Sequence, residues 1–185
     1  MLLDIGSGTT NVSVISLGGV VVTDSCEAAG DQMDEAIVRM LKREYNLMIG
    51  PLTAERLKMQ LGAALPEAAT GTAIVAGRLT TTGNPAAIEV RAEEVYGAIS
   101  ETLAQMESLV LNVFERTPPE LLADISRNGL TITGGGSLLR AFDERLHRVT
   151  RLPVHVTESP LETVAMGARK VLEGRQRAKL RRIKP

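Results

Sequence analysis

Asp4-Ile5-Gly6-Ser7-Gly8-Thr9-Thr10 puts one carboxylate, two glycines and three hydroxyls into seven residues. Glycine lets backbone N–H groups approach phosphate oxygens with no Cβ in the way. Hydroxyls add donors, and a carboxylate at a strand end can hold a hydrated Mg²⁺. The same Gly-Ser-Gly also suits a turn that only reverses the chain. A second glycine run, Gly134-Gly135-Gly136-Ser137, follows the apolar stretch Leu130-Thr131-Ile132-Thr133. A strand that enters a glycine turn and opens a helix brings backbone against a nucleotide. Tight packing of helix on strand uses glycines equally well.

These residues need a frame. The run ending in Asp4 reads as a buried strand, Val12 to Leu17 as a second, and Val20-Val21-Val22, after the turn Gly18-Gly19, as a third: an antiparallel meander. Asp31 is placed to cap a helix whose inner face is Met33, Ile37, Met40, Leu41 and Tyr45. Gly50-Pro51 ends that unit, and Thr53 is the expected cap of a second helix over 54–61. Within it Glu55 and Lys58, three apart, share a face and read as a solvated ion pair. Short strands at 73–75 and 88–90 flank the turn Thr81 to Pro85, so a small unit of two helices and a hairpin sits inside a larger one.

A long helix is expected over 92–116, with Val95, Ile99, Leu103, Met106, Val110 and Val113 or Phe114 as its stripe. Thr117-Pro118-Pro119 stops it, a short helix follows over 120–125, and Gly129 breaks the chain before the strand 130–133. Ser137 is the expected cap of a helix continuing through Leu138, Leu139, Phe142, Leu146 and Val149. A strand over 152–156 and a helix over 161–172 complete the pattern. Gly167, in mid-helix at a cost of about 1 kcal/mol relative to alanine, is expected to mark a close approach by backbone or ligand.

Composition narrows the classes. At 185 residues and 44% hydrophobic content the chain can bury one sizeable core with a smaller unit inserted. Lys and Arg number 21 against 22 acids, a net charge of −1, so no global field recruits nucleic acid. The single Cys26 excludes an intramolecular disulfide and a multi-cysteine metal site, which suits a reducing cytosol. His147 and His155 have no second ligand at metal-binding spacing. No apolar segment reaches the roughly 20 residues that span a bilayer, and the first residues read as a strand rather than a signal peptide. A chain that begins inside a strand reads as a cut through a larger protein. Lys170, Arg175, Arg177, Lys179, Arg181, Arg182 and Lys184 against Glu173 form a basic tail, either simply solvated or available to anionic lipid or acidic partners.

The order of these stretches resembles a known family. Leu3 to Thr10, Val14-Ile15-Ser16-Leu17-Gly18-Gly19, Gly30 to Ile37, Thr53-Ala54-Glu55-Arg56-Leu57-Lys58, Thr117-Pro118-Pro119-Glu120-Leu121, Thr133-Gly134-Gly135-Gly136-Ser137-Leu138-Leu139 and Ser159 to Ala165 are similar to the C-terminal half of MreB, the bacterial actin homologue that determines rod shape. The resemblance implies an α/β fold: the second half of an actin-like ATPase domain. Residues 1–32 and 92–185 would form a subdomain of the ribonuclease H-like kind, and 33–91 a smaller inserted α+β subdomain.

It also implies roles. Asp4 would stand near Mg²⁺ and hold it through water; Gly6, Ser7, Gly8, Thr9 and Thr10 would surround the β- and γ-phosphates of ATP. Gly134, Gly135, Gly136 and Ser137 match the adenosine motif, and Gly30 and Asp31 the segment beside the nucleotide. Glu55 and Lys58 match the helix that closes over ribose and base, against their reading as a solvated pair. The implied protein is a cytoplasmic filament subunit at the inner face of the membrane. It self-associates, organises wall synthesis with the elongation machinery and membrane-anchored adaptors, and binds no nucleic acid. Membrane contact would fall to the missing half or the basic tail. Asn11 stands where the family commonly has Glu, and a neutral amide is no base. With one wall of the cleft absent, the isolated chain is expected to be a poor ATPase at best. The alternatives are a sugar kinase or heat-shock ATPase of the same superfamily, or a truncated product without nucleotide function.

Overall fold

The computed structural model describes residues 1–173, so the basic tail beyond Glu173 lies outside the described residues. Strands β1 (Leu2–Ile5), β2 (Thr10–Ser16) and β3 (Gly19–Cys26) form the expected antiparallel meander. β1 also pairs in parallel with β7 (Leu130–Thr133), and β7 with β8 (Val154–Val156). The sheet order is therefore β3-β2-β1-β7-β8, with β1 at its centre. Leu3, Ile5, Val12 and Val14 are buried on one face. The alternation of the strands puts Asp4, Asn11 and Ser13 on the other face.

The buried face is covered by α3 (Ala92–Glu115), whose stripe Val95, Ile99, Leu103, Met106, Val110 and Val113 is solvent-free as its spacing predicts. Between β3 and α3 lie α1 (Gly30–Tyr45), β4 (Leu47–Met48), α2 (Pro51–Leu61), β5 (Thr72–Leu79) and β6 (Pro85–Arg91). β4, β5 and β6 make a second, antiparallel sheet. Two residues are too few to show a period, which is why β4 was not visible in the sequence. One apolar cluster runs through both sheets, from Leu3 and Ile5 to Val75 and Val90.

Several local expectations change. α1 begins at Gly30 with Ala29 as its N-cap and no side-chain cap, so Asp31 lies in the first turn instead of capping. α2 begins at Pro51, whose fixed φ and missing N–H suit a first helical position, and Thr53 lies inside the helix. Ser137 caps no helix: Gly135–Leu138 is a 3-10 turn, and α5 (Phe142–Thr150) starts later, after Ala141 at φ 58°. α4 spans Pro119–Asn128, and α6 starts at Thr163 rather than 161. No side chain of α6 is buried, and a side chain at Gly167 would meet open space, so nothing among the described residues approaches that glycine. Among the described residues no helix is long and apolar enough to cross a membrane.

Candidate functional site

The loop between β1 and β2 is closed by the Gly6 N–H donating to the Thr9 carbonyl at 2.9 Å. A helix start has N–H groups with no partner inside the helix. Here the Gly30 N–H donates to the Gly6 carbonyl (3.2 Å) and the Asp31 N–H to the Ser7 carbonyl (2.7 Å), fastening the loop to α1. The backbone N–H groups of Ser7, Gly8 and Thr9 donate to no backbone carbonyl among the described residues. Consecutive free N–H groups are the donor set that takes an anion.

The second glycine run packs against the same strand. Gly134 has φ +81°, and a Cβ there would strike the Ile5 carbonyl oxygen, while one at Gly136 would strike Ile5 Cγ2. Only glycine combines that φ with that approach. The Ser137 hydroxyl donates to the Gly134 carbonyl at 2.7 Å and is buried, so it shapes the turn.

α2 is tied to both loops. At its middle, the Lys58 ammonium donates to Asp34 Oδ2 (2.8 Å) and to the Gly30 carbonyl (3.0 Å). At its end, Arg140, just beyond the 3-10 turn, donates to the carbonyls of Gln60 (3.0 Å) and Gly62 (3.3 Å), while its own carbonyl accepts from the Ala64 N–H at 2.7 Å. A guanidinium on the last carbonyls of a helix satisfies acceptors that would otherwise lack donors. Lys58 therefore pairs with Asp34 rather than Glu55, and the solvated Glu55–Lys58 pair is not formed. Asp34 carried no signal of its own in the sequence. Its position one turn after Gly30, on the side of α1 that meets α2, is what brings it to Lys58.

The result is a cleft of about 490 Å³ lined by Gly6, Ser7, Gly30, Asp31, Glu55, Lys58, Gly135 and Gly136, residues far apart in sequence. Met59, Leu138, Leu139 and Leu161 give it an apolar side. Six other residues singled out in the sequence are not in its lining. Asp4 lies on the sheet face opposite Leu3 and Ile5, between Asn11 and Thr133 in register, with Oδ1 against Gly134. Thr9 accepts from Asn11 Nδ2 at 3.4 Å, and Gly8 faces the Asp31 carboxylate. Gly134 is packed on Ile5, and Ser137 is turned inward. The Thr10 hydroxyl is buried and donates to the Ala28 carbonyl at 2.6 Å, so it holds the β2 start to the segment before α1 and is not available to a ligand.

Burial pushes the Asp34 carboxyl above the usual carboxylate range, the hydrogen bond and charge of Lys58 only partly offset this, and the charges of Glu55 and Asp31 add to the rise. Asp34 Oδ1 is buried with no hydrogen-bond partner. The arrangement offers anion donors at one end, an ammonium and a carboxylate in the middle, and an apolar wall at the other. His147 is spent structurally, its Nδ1 lying 2.6 Å from the Leu152 carbonyl.

Comparison with known proteins follows the same outline. The family model described as MreB/Mbl protein matches residues 1–180. The cell shape-determining protein MreB of Escherichia coli K12 is 44% identical over 173 residues, 94% of this chain and 50% of that protein. The cell shape-determining protein Mbl of Bacillus subtilis 168 is 40% identical over 183 residues, 99% of this chain and 55% of its own length. This chain thus spans about half the length of the curated relatives it matches. MreB5 of Spiroplasma citri, in a crystal structure with ADP, superposes with a TM-score of 0.90 at 32% identity, over 96% of this chain and 54% of that one. The MamK double helical filament, at 21% identity and a TM-score of 0.73, shares the fold over 86% of this chain and 50% of that one. The fold is actin-like, and the chain belongs to the MreB/Mbl protein family.

Proposed function

We propose that this chain is the C-terminal, nucleotide-binding half of an actin-like cell shape-determining protein, with residues 1–32 and 92–185 as one subdomain and 33–91 as the inserted one. The observation that carries the reading is the meeting of Gly6, Ser7, Gly30, Asp31, Glu55, Lys58, Gly135 and Gly136 around one cleft. The free N–H groups of Ser7, Gly8 and Thr9 suit the phosphates, Glu55 and Lys58 suit ribose hydroxyls, and the apolar side suits a base. MreB5 of Spiroplasma citri has been crystallised with both ADP and AMPPNP, which supports an adenine nucleotide as the ligand.

Mg²⁺ fits the donor set on one condition. Asp31 Oδ2 lies near Gly8 and Asp4 belongs to the strand that enters the loop, and Mg²⁺ keeps most of its waters when protein supplies few ligands. Asp4 would hold it through water, and the ion would offset phosphate charge beside Asp31. The relatives' length leaves room for a second wall, and water exclusion and in-line attack need both walls. Turnover therefore belongs to the two walls together, and the isolated chain is a poor ATPase. In the complete protein the subunits polymerise in the cytoplasm at the inner face of the membrane and organise wall synthesis with the elongation machinery and its membrane-anchored adaptors. The basic tail is a second place for membrane contact.

Titration of the ¹⁵N-labelled chain with Mg·AMPPNP tests the site. Saturable shifts of the Gly6–Thr9, Gly30, Gly135 and Gly136 amides are expected, at an affinity weaker than micromolar, which corresponds to about −8 kcal/mol. Saturable shifts confined to other surfaces, or none at these amides up to solubility, would sink the assignment.

A further inference from the structure

Lys58 reaches the cleft wall on a long, flexible stem, and such a side chain normally samples many rotamers. Here it is held. The Lys58 and Asp34 side chains are only 16% and 13% exposed, and the ammonium is shared between Asp34 Oδ2 and the Gly30 carbonyl. An ammonium has three N–H donors, so one remains, on a residue that lines the cleft. Gly30 makes the approach feasible: a Cβ there would lie 3.4 Å from Lys58 Nζ and 3.3 Å from Ser7 Cα.

We propose that Asp34 is a positioning residue for ligand recognition: it fixes the Lys58 ammonium against the Gly30 carbonyl, so that the remaining donor of Lys58 meets an oxygen of a bound nucleotide. The inference rests on the nucleotide reading of the cleft and adds to it a residue that donates nothing to the ligand. Without the Asp34 charge, only neutral oxygens are left to hold the ammonium in place. Glu55, three residues earlier on the same helix, then competes for it. Fixing the donor beforehand removes an ordering cost from binding, which is why an indirect group can govern affinity.

The test uses the 185-residue chain. A held ammonium exchanges its protons slowly and gives a side-chain ¹H–¹⁵N signal, assigned to Lys58 by its loss in Lys58→Met. In Asp34→Asn that signal is expected to vanish while amide resonances far from the cleft stay in place. Mg·AMPPNP affinity is expected to fall about tenfold in Asp34→Asn, the weight of one charge-assisted hydrogen bond, and by a similar factor in Lys58→Met. The double variant should be no weaker than Lys58→Met alone, because the two residues act through one contact. Persistence of the ammonium signal in Asp34→Asn overturns the positioning role without reference to any nucleotide. So does full multiplication of the two fold-changes. If Lys58→Met leaves AMPPNP binding unchanged, the nucleotide reading of this wall fails, and the ammonium signal still decides whether Asp34 holds Lys58. Should Asp34→Asn not fold, Asp34→Ser is read in the same way.

Discussion

Arg145–Glu107 and Lys58–Asp34 are buried to the same depth, with side-chain exposures of 13% and 16% in the first pair and 16% and 13% in the second. Their hydrogen bonding differs. Arg145 makes two bonds to Glu107, at 2.7 and 3.0 Å, and a third to the Ala64 carbonyl at 2.9 Å. Burial opposes its charge, yet the hydrogen bond and charge of Glu107 hold its pKa above the ordinary value. Lys58 makes one bond to Asp34 and leaves Oδ1 bare, and there burial prevails and raises the Asp34 pKa. A buried ion pair stabilises only when its remaining donors and acceptors are also satisfied. The Arg145 pair ties α5 to α3 and to the segment after α2, away from the cleft lining. The Lys58 pair lines the cleft, and its Asp34 Oδ1 is buried there without a partner.

The largest expected effect comes from breaking the satisfied pair. Glu107→Ala should cost about 3–5 kcal/mol in urea unfolding, because Arg145 is left buried without its counter-charge. A loss under about 1 kcal/mol would abolish the contrast. Asp34→Asn should change stability by less than about 2 kcal/mol, since the amide removes a poorly compensated charge and Lys58 can turn toward the cleft. A loss matching that of Glu107→Ala would make the two pairs equivalent.

Acid separates them further. Because the folded pKa of Asp34 lies above the ordinary carboxylate value, the folded state binds that proton more tightly. Its contribution is fully present below the unfolded pKa and is lost as pH rises through the folded pKa. The stability of the parent relative to Asp34→Asn should therefore increase as pH is lowered through that window. A flat or opposite trend in paired urea titrations would contradict the raised pKa. The smallest effect sets the baseline. Arg39 and Glu35 form an i,i+4 pair with exposures of 65% and 71%, and Arg39→Ala should move stability by no more than about 0.5 kcal/mol.

Much of the fold was legible because its signals are periodic. The meander, the stripe of α3 and the strand before Gly134 follow from spacing alone, and β4 does not, because two residues show no period. Caps are less legible. Asp31, Thr53 and Ser137 all had the right chemistry, but Gly30, Pro51 and the 3-10 turn moved the helix starts. For the site, glycines and hydroxyls identified the loops and not the direction of each side chain. Thr10 and Ser137 turned inward because a carbonyl, of Ala28 in one case and Gly134 in the other, lay within reach. Asp34 stayed hidden because a carboxylate on an amphipathic helix normally reads as its wet face.

The two glycine contacts with Ile5 impose different rules on sequence change. At Gly136 the obstruction is the Ile5 side chain, so a smaller residue at position 5 removes the collision with Cγ2 and leaves a 2.9 Å contact with Cβ for a small shift to relieve. At Gly134 the obstruction is the Ile5 carbonyl oxygen, which every residue carries, and the φ of +81° adds its own penalty. A change at position 5 together with a small shift can thus relieve position 136, whereas no partner substitution releases position 134.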